Sequence, residues 1–287
     1  MDEIFYRWFF RAFALCFGLL IGSFLNVCIH RWPRGRSVVK PRSHCVRCRQ
    51  WIAWYDNLPL VSYVLLGGRC RHCGRHISPR YPAVELLTGL LWLWFVWKYG
   101  VTMEAAKMGV FTSILVGLTF CDLEKRLLPD EFTLGGMWLG FAFALFVRVP
   151  DVVANALPQA ALFLMGKQFN AHLILSGRLD WVAESALGAA GPALLLWGGA
   201  AAWSKLRGRE MLGFGDVKLI AMVGSFVGLT GAMLTMLLGA SAGSVLGIIY
   251  IKATGKKLSE YELPFGTFLG LAGLAVALIG PWRLWGG

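Results

Sequence analysis

Long apolar stretches alternate with short polar segments along the chain. A stretch needs about 17–25 predominantly apolar residues to cross a bilayer as a helix. Eight stretches reach or approach that length once flanking residues are counted: Trp8–Ile29, Val84–Trp97, Ala105–Cys121, Phe132–Val147, Trp181–Trp203, Val217–Leu229, Gly231–Ile251 and Phe265–Trp282. The pattern therefore predicts an all-α polytopic membrane protein with about eight transmembrane helices.

The apolar run from Val217 to Ile251 is too long for one span. We place a break at Gly228–Gly231, where the sequence reads Gly-Leu-Thr-Gly. Glycine adopts backbone conformations that other residues avoid, so a helix can end there abruptly. The run is therefore predicted to form two helices.

Composition and charge agree with a membrane protein. The chain is 57% hydrophobic and only 15% charged, with a net charge of +12. With the N-terminus outside, most Lys and Arg residues fall in the inner loops 30–80, 122–131, 204–216 and 252–262, as the positive-inside rule favours. Basic loops beside anionic lipid account for the positive charge, so the bilayer is the expected partner and no nucleic acid is required.

The segment 149–180 is predicted to be an insert that does not cross the membrane. Its one long apolar run, Ala160–Met165, is well below the roughly 17 residues of a span. We expect it to lie flat in the outer interface, as a periplasmic interfacial insert. An additional span there would put the acidic motifs that flank it on opposite sides of the bilayer.

Residues 30–80 contain two Cys-x2-Cys pairs, Cys45 with Cys48 and Cys70 with Cys73. Four thiolates from two such turns can surround a tetrahedral zinc ion, and a segment this short has too small a core to fold without such support. The spacing predicts a small zinc-ribbon-like domain with structural Zn²⁺. Redox disulfides and an iron–sulfur cluster are the alternatives, and the reducing compartment expected for an inner loop disfavours disulfides.

Two acidic motifs, Asp122-Leu-Glu-Lys-Arg-Leu-Leu-Pro-Asp130 and Gly213-Phe-Gly-Asp216, are predicted to emerge on the same membrane face. Two nearby carboxylates cannot both ionise easily, so one can act as a base and the other as an acid toward a peptide bond. Helix ends favour Asp216 as the base and Asp122 as the acid. Asp130 is better explained as a helix cap. Ordinary juxtamembrane acids and a proton-coupled transport site remain alternatives.

Longer motifs narrow these alternatives. The segment Gly213–Asp216 resembles the G-x-G-D element shared by type IV prepilin peptidases and presenilin-like proteases. GSFLNVCIHRWP at 22–33, PRSHCVRC at 41–48, LLGGRCRHCGRHISPRYPAVEL at 65–86 and DLEKRLLPD at 122–130 resemble the further motifs of bacterial prepilin peptidases, in the same order. Presenilin-like proteins have no such cysteine segment, so the resemblance is to the prepilin peptidase family.

The resemblance implies an aspartic endopeptidase of the bacterial inner membrane with its active site facing the cytoplasm. Asp122 and Asp216 would be its catalytic pair, and Cys45, Cys48, Cys70 and Cys73 its zinc ligands. It would remove the leader from type IV prepilins or type II secretion pseudopilins. It would then methylate the new N-terminus with S-adenosylmethionine as methyl donor.

The expected methyltransferase activity has one departure from the family pattern. The family carries a Gly-Lys pair tied to methylation where this chain has Gly68-Arg69. Arginine keeps the charge but changes its shape and pKa. Gly68 and Arg69 are still the residues that the resemblance associates with the methyl donor. The chain contains no Gly-rich dinucleotide-binding fingerprint.

The predicted organisation is a first transmembrane helix over 1–29, a cytoplasmic zinc-binding domain over 30–80 and a seven-helix membrane peptidase domain over 81–287. Two other functional classes stay open on the residues alone. One is a proton- or ion-coupled transporter that uses the aspartates, and the other is a zinc-domain scaffold without chemistry. Cleavage of a prepilin by the purified protein would separate the peptidase from both.

Overall fold

The structure is a computed structural model that describes residues 3–149, 178–208, 213–254 and 264–280. Within these ranges the regular structure is helical, and no strand is present beyond two isolated bridges. Two short 3₁₀ turns, Trp32–Arg34 and Trp54–Asn57, lie between α1 and α3. The α-helices are α1 Glu3–Arg31, α2 Val61–Leu65, α3 Arg80–Tyr99, α4 Met103–Lys125, α5 Asp130–Ala144, α6 Arg178–Arg207, α7 Phe214–Thr254 and α8 Phe265–Ile279.

The helices match the predicted spans, and the predicted all-α, multi-pass membrane architecture is confirmed. In the described ranges four segments are long and apolar enough to cross a bilayer: Glu3–Arg34, Met103–Lys125, Leu179–Leu206 and Phe214–Tyr250. Helix α8 is apolar but shorter. The spans predicted near Val84 and Phe132 correspond to α3 and α5. Large apolar side chains stay exposed along α1, such as Phe9 and Phe13, as expected of a surface that contacts lipid.

Helix α7 is interrupted inside the predicted Gly228–Gly231 break. Gly228 has φ 72° and ψ −174°, which is not a helical conformation. The left-handed φ is accessible to glycine because it lacks a Cβ atom. The prediction of two helices in this run is therefore confirmed at Gly228.

The chain divides into two compact units, residues 1–121 and 122–287. In the first unit, α1 and α3 touch through their backbones. A Cβ atom added at Gly22 would lie 2.6 Å from the Glu85 Cα, and one at Gly18 would lie 2.9 Å from the Gly89 Cα. Small residues permit this close approach between helices in a membrane.

In the second unit, glycines likewise allow backbone contact between α6 and α7. A Cβ atom added at Gly188 would lie 2.7 Å from both the Gly224 carbonyl oxygen and the Gly228 Cα. Beside this contact the Ser185 hydroxyl donates a hydrogen bond of 2.6 Å to the Ser225 carbonyl oxygen. The two helices are thus fixed at backbone contact in the middle of the unit.

The cysteine segment of the first unit folds into two matching turns, which we call knuckles, over residues 44–51 and 69–76. In each, the first cysteine N–H donates to the carbonyl oxygen five residues later, from Cys45 to Gln50 and from Cys70 to Arg75. A single bridge closes each knuckle, between His44 and Trp51 and between Arg69 and His76. The residue after the second cysteine has positive φ in both, 59° at Arg49 and 65° at Gly74.

Most of the predicted insert lies outside the described residues, which stop at Val149 and resume at Arg178. Its interfacial placement therefore stays a prediction.

The glycine contact between α6 and α7 predicts a sharp positional effect of alanine. Gly188→Ala should destabilise the second unit by about 1–3 kcal/mol, the usual cost of overpacking, because the added methyl group meets backbone atoms that cannot rotate away. Gly198→Ala on the same helix is the control, since a Cβ atom there meets nothing within 4 Å. Thermal unfolding in detergent, followed by Trp fluorescence, measures both. Equal midpoints for the two variants would contradict the packing described here.

Candidate active site

Asp122 lies in the last turn of α4 and is only 5% exposed. Its carbonyl oxygen accepts a hydrogen bond of 2.8 Å from the Arg126 N–H, and Arg126 has φ 52°. This left-handed residue ends the helix and redirects the chain toward Pro129. Asp122 is therefore a buried carboxylate at a helix C-terminus, where the dipole of its own helix opposes negative charge.

Two hydrogen-bond donors of Thr267 offset the unfavourable position of the Asp122 carboxylate. The Thr267 backbone N–H and the Thr267 hydroxyl both donate to the Asp122 Oδ2, at 2.6 and 2.7 Å. Thr267 is 4% exposed and lies in the first turn of α8, so the N-terminus of that helix also faces the carboxylate. A carboxylate that accepts such hydrogen bonds is stabilised in its charged form.

Asp216 lies in the first turn of α7, and its backbone N–H donates to the Gly213 carbonyl oxygen at 3.1 Å. Its side chain is 9% exposed. Asp216 and Asp122, the two acids predicted as a pair, are thus both buried carboxyl groups of the second unit.

Leu128 joins the three segments that meet there. A Cβ atom added at Gly215 would lie 3.3 Å from the Leu128 Cβ, and one at Gly266 would lie 3.0 Å from the Leu128 Cδ1 and 3.1 Å from the Asp122 Cγ. A side chain at Gly266 would crowd the Asp122 carboxyl group, and one at Gly215 would press against Leu128. Gly266 therefore leaves room beside Asp122.

Asp130 differs from its predicted role as a cap. It is the first residue of α5, and the N-cap position before it is occupied by Pro129, which makes no side-chain capping hydrogen bond. Instead, the Lys218 Nζ donates a hydrogen bond of 2.7 Å to the Asp130 Oδ1, and the two side chains form an ion pair. The cap prediction is wrong because an available cation from α7, two residues beyond Asp216, engages the carboxylate. This ion pair connects the two acidic motifs at their exposed edge.

The four predicted metal ligands come together in the first unit. The Sγ atoms of Cys45, Cys48, Cys70 and Cys73 all lie within 4.8 Å of one another, and those of Cys45 and Cys73 are 4.0 Å apart. Four sulfurs around a tetrahedral zinc, with bonds of about 2.3 Å, are about 3.8 Å apart. The cluster can therefore hold a metal ion with little adjustment.

The ionisation of these thiols also suits a cation. Burial opposes ionisation of Cys45, but backbone N–H donors from Cys48 and Arg47 and the neighbouring thiols lower its pKa to about 7. The Gln50 N–H favours the Cys48 thiolate, but burial and the neighbouring cysteines outweigh it and raise the pKa of Cys48 to about 11. Four thiols this close cannot all become thiolates unless a cation balances their charge.

Gly68 and Arg69, which the resemblance associates with the methyl donor, lie at the start of the second knuckle. Gly68 has φ 66°, and a Cβ atom there would lie 3.0 Å from the Tyr63 ring. Arg69 is exposed and forms the knuckle bridge with His76. Their geometry accounts for the turn and assigns no cofactor contact to them.

Sequence reasoning missed Thr267. The signal that could have found it is the segment Pro264-Phe-Gly-Thr267, a proline and a glycine at the start of a predicted helix. Hydropathy treats that helix only as a span, and the partner of the threonine is 145 positions away.

Comparisons with known proteins cover most of the chain. Residues 16–99 match the bacterial peptidase A24 N-terminal domain, and residues 109–248 match the type IV leader peptidase family. No solved structure gives a significant match.

Several curated relatives share the name prepilin leader peptidase/N-methyltransferase. The one from Myxococcus xanthus is 38% identical over 247 residues, which cover 86% of this chain but 65% of the relative, slightly less than two thirds of its length. The one from Pseudomonas aeruginosa is 34% identical over 94% of this chain and 91% of its own length. The one from Xanthomonas campestris is 33% identical over 90% of this chain and 88% of its own length. The chain belongs to the type IV leader peptidase family.

Proposed function

We propose that this protein is a membrane aspartic endopeptidase that removes the leader of type IV prepilins or type II secretion pseudopilins and N-methylates the new N-terminus. The observation that carries the proposal is the pair of buried carboxyl groups, Asp122 and Asp216, contributed by two separate motifs of one unit. The relatives named for both activities support it. They do not favour the ion-coupled transporter.

In the proposed cleavage, Asp122 is the general base and Asp216 the general acid. This reverses the assignment expected from the helix ends, because Thr267 donates two hydrogen bonds to Asp122 and so stabilises its charge. Asp122 takes a proton from water as the water oxygen attacks the peptide carbonyl carbon. Asp216 gives a proton to the carbonyl oxygen, which forms a gem-diol. The gem-diol then returns a proton to Asp216 as its C–N bond breaks, and Asp122 gives its proton to the leaving amine nitrogen.

We place the active site at the cytoplasmic face of the bacterial inner membrane. The support is the concentration of Lys and Arg in the loops that flank the two acidic motifs and in the cysteine segment. A basic leader on the cytoplasmic side would then reach both aspartates without crossing the bilayer. The proposed domains are the first helix, the metal-binding segment 30–80 and the peptidase domain 81–287.

The proposed metal is structural zinc held by Cys45, Cys48, Cys70 and Cys73. Zinc supplies two positive charges that stabilise the thiolates and connect the two knuckles. For methylation we propose S-adenosylmethionine, which supplies an electrophilic methyl group. The proposed substrate of that step is the amine exposed by cleavage.

Replacing either aspartate tests the catalytic pair. Asp122→Asn and Asp216→Asn should each reduce prepilin cleavage by at least roughly 10²–10⁴-fold, the contribution of a general acid or base. Asp130→Asn is the matched control: it loses only a partly exposed ion pair with Lys218, worth about 0–1 kcal/mol, and should retain most activity. Cleavage of a purified prepilin, followed by the mass of the product, is the measurement. Near-normal cleavage by either variant of the pair would refute the assignment.

Thr267 should act as a positioning residue for the base. Thr267→Val keeps the shape and the backbone N–H but removes the hydroxyl donor, so we expect kcat to fall about tenfold or more, as loss of a hydrogen bond of about 1.5–3 kcal/mol to a charged group implies. KM for the prepilin should stay near the wild-type value, because the hydroxyl acts through the Asp122 carboxylate.

Thr267→Ser restores the hydroxyl and should restore kcat. A valine variant in which KM rises as much as kcat falls, or a serine variant as impaired as valine, would assign Thr267 to packing alone.

Removing a metal ligand tests the cysteine cluster. Cys45→Ser or Cys73→Ser should release bound zinc and expose residues 30–80 to proteolysis, since metal binding supplies much of the folding free energy of so small a segment. Methylation should be lost first, and cleavage should partly survive because both aspartates lie in the other unit. Cys16→Ser, an exposed thiol on α1 outside the cluster, should retain zinc. Equal loss of both activities at normal protein levels would contradict this separation.

A further inference from the structure

The cysteine segment, residues 30–80, contains one apolar stretch without a charged residue. Residues 58–68 read LPLVSYVLLGG and include α2. The rest of the segment is rich in Lys and Arg and carries a single acidic residue, Asp56. The apolar side chains of this stretch that stay exposed therefore indicate what the segment contacts.

Three exposed apolar side chains share one side of α2. Val61, Val64 and Leu65 are 52%, 74% and 80% exposed, and positions i, i+3 and i+4 lie next to one another on a helix surface. Ser62, by contrast, is buried, and its hydroxyl donates to the Tyr55 carbonyl oxygen at 2.8 Å. We call the three exposed side chains the α2 face. Exposed apolar surface of this kind marks a contact with another protein or with a membrane.

The start of α2 lies beside two membrane helices. The Leu60 N–H donates a hydrogen bond of 2.9 Å to the Glu85 Oε2, and Glu85 is about 7–8 Å along α3 from its first residue. A Cβ atom added at Gly22 of α1 would lie 2.6 Å from the Glu85 Cα. The apolar run of α1 continues to Ile29, about 10 Å beyond Gly22. The start of α2 is therefore at the depth of the leaflet in which α1 ends and α3 begins.

The backbone of the apolar stretch is also suited to contact with lipid. The N–H groups of Ser62, Val64, Leu66 and Gly68 all donate to carbonyl oxygens within residues 58–68. Backbone outside regular helices is tolerated at membrane depth only where the protein satisfies its polar groups. The stretch can therefore lie against lipid without leaving these donors unpaired.

Two aromatic side chains flank α2. Trp54 is 80% exposed, and its ring centroid is 5.8 Å from that of Tyr55. The hydrogen bond from Ser62 to the Tyr55 carbonyl oxygen fixes this turn to α2. Trp and Tyr are enriched where a protein crosses the boundary between lipid and water, so this pair suits the edge of an inserted surface.

The charge of the segment selects the kind of lipid. Asp56 already forms an ion pair of 2.6 Å with Arg71, so the segment has no other acid to offset its remaining Lys and Arg residues. Arg69, which directly follows the apolar stretch, is exposed. Basic residues beside a membrane surface are attracted to anionic headgroups.

We propose that the α2 face inserts into the interface of an anionic bilayer leaflet, with Trp54 and Tyr55 among the headgroups, and anchors the cysteine segment to the membrane. Apolar side chains beside basic residues are the usual composition of such interfacial anchors. The depth of α2 favours lipid over a protein partner, because the chain's own spans place lipid at that level. The inference rests on neither cleavage nor methylation.

The test introduces the photo-reactive amino acid p-benzoylphenylalanine at Leu65 of the full chain, in nanodiscs of equal parts phosphatidylcholine and phosphatidylglycerol. After irradiation, peptide mass spectrometry should find phospholipid attached at this position, with phosphatidylglycerol in excess of its share of the bilayer. Trp51, an exposed aromatic residue of the first knuckle, is the matched control position. It should give at least fivefold fewer lipid adducts.

The thermal unfolding midpoint checks the folding of each labelled protein, and the same label at Val64 replaces Leu65 if that protein is destabilised. Equal lipid yields at Leu65 and Trp51 would overturn the proposal. Phosphatidylglycerol adducts no more frequent than its share of the bilayer would overturn the preference for anionic lipid. Irradiation of cell membranes that contain the labelled chain covers the other occupants: adducts at Leu65 to a second copy or to another protein, in place of lipid, would make the α2 face a protein interface.

Discussion

The hydrogen bonds from Thr267 to Asp122 solve the main electrostatic difficulty of the fold. Asp122 is buried at the C-terminal end of its helix, where both desolvation and the helix dipole disfavour a charge. The first turn of α8 supplies two donors to a single carboxylate oxygen. The second unit must therefore bring the start of α8 to the end of α4. This requirement determines where the loop after α4 and the first turns of α7 and α8 lie around Leu128.

The contacts among the helices of the second unit meet that requirement. The glycine contact between Gly188 and Gly224 sets the distance from α6 to α7, and a Cβ atom at Gly239 would meet Leu269 of α8. Because these contacts involve backbone atoms, the helices have little freedom to move closer or to slide. Close packing thus holds the helices that carry Asp216, Thr267 and Asp122, and the Thr267 hydrogen bonds fix the Asp122 carboxylate within it.

Much of the fold could be predicted from the sequence because hydropathy reports burial in lipid directly. The spans, the break at Gly228 and the grouping of the four cysteines all follow from local patterns. The role of Asp130 could not be predicted, because its partner Lys218 is 88 positions away. The division of base and acid was predicted from each aspartate's own helix, and the contribution of a different helix, through Thr267, depends on tertiary contact.

The two knuckles are alike in hydrogen bonding but unequal in backbone energy. Gly74 adopts its left-handed conformation at little cost, whereas Arg49 holds φ 59° at the same position of the other knuckle, against a cost of about 1–2 kcal/mol for a residue with a side chain. The proposed zinc must hold the first knuckle against that strain. If the metal were removed, we would therefore expect the half that carries Cys45 and Cys48 to relax before the half that carries Cys70 and Cys73.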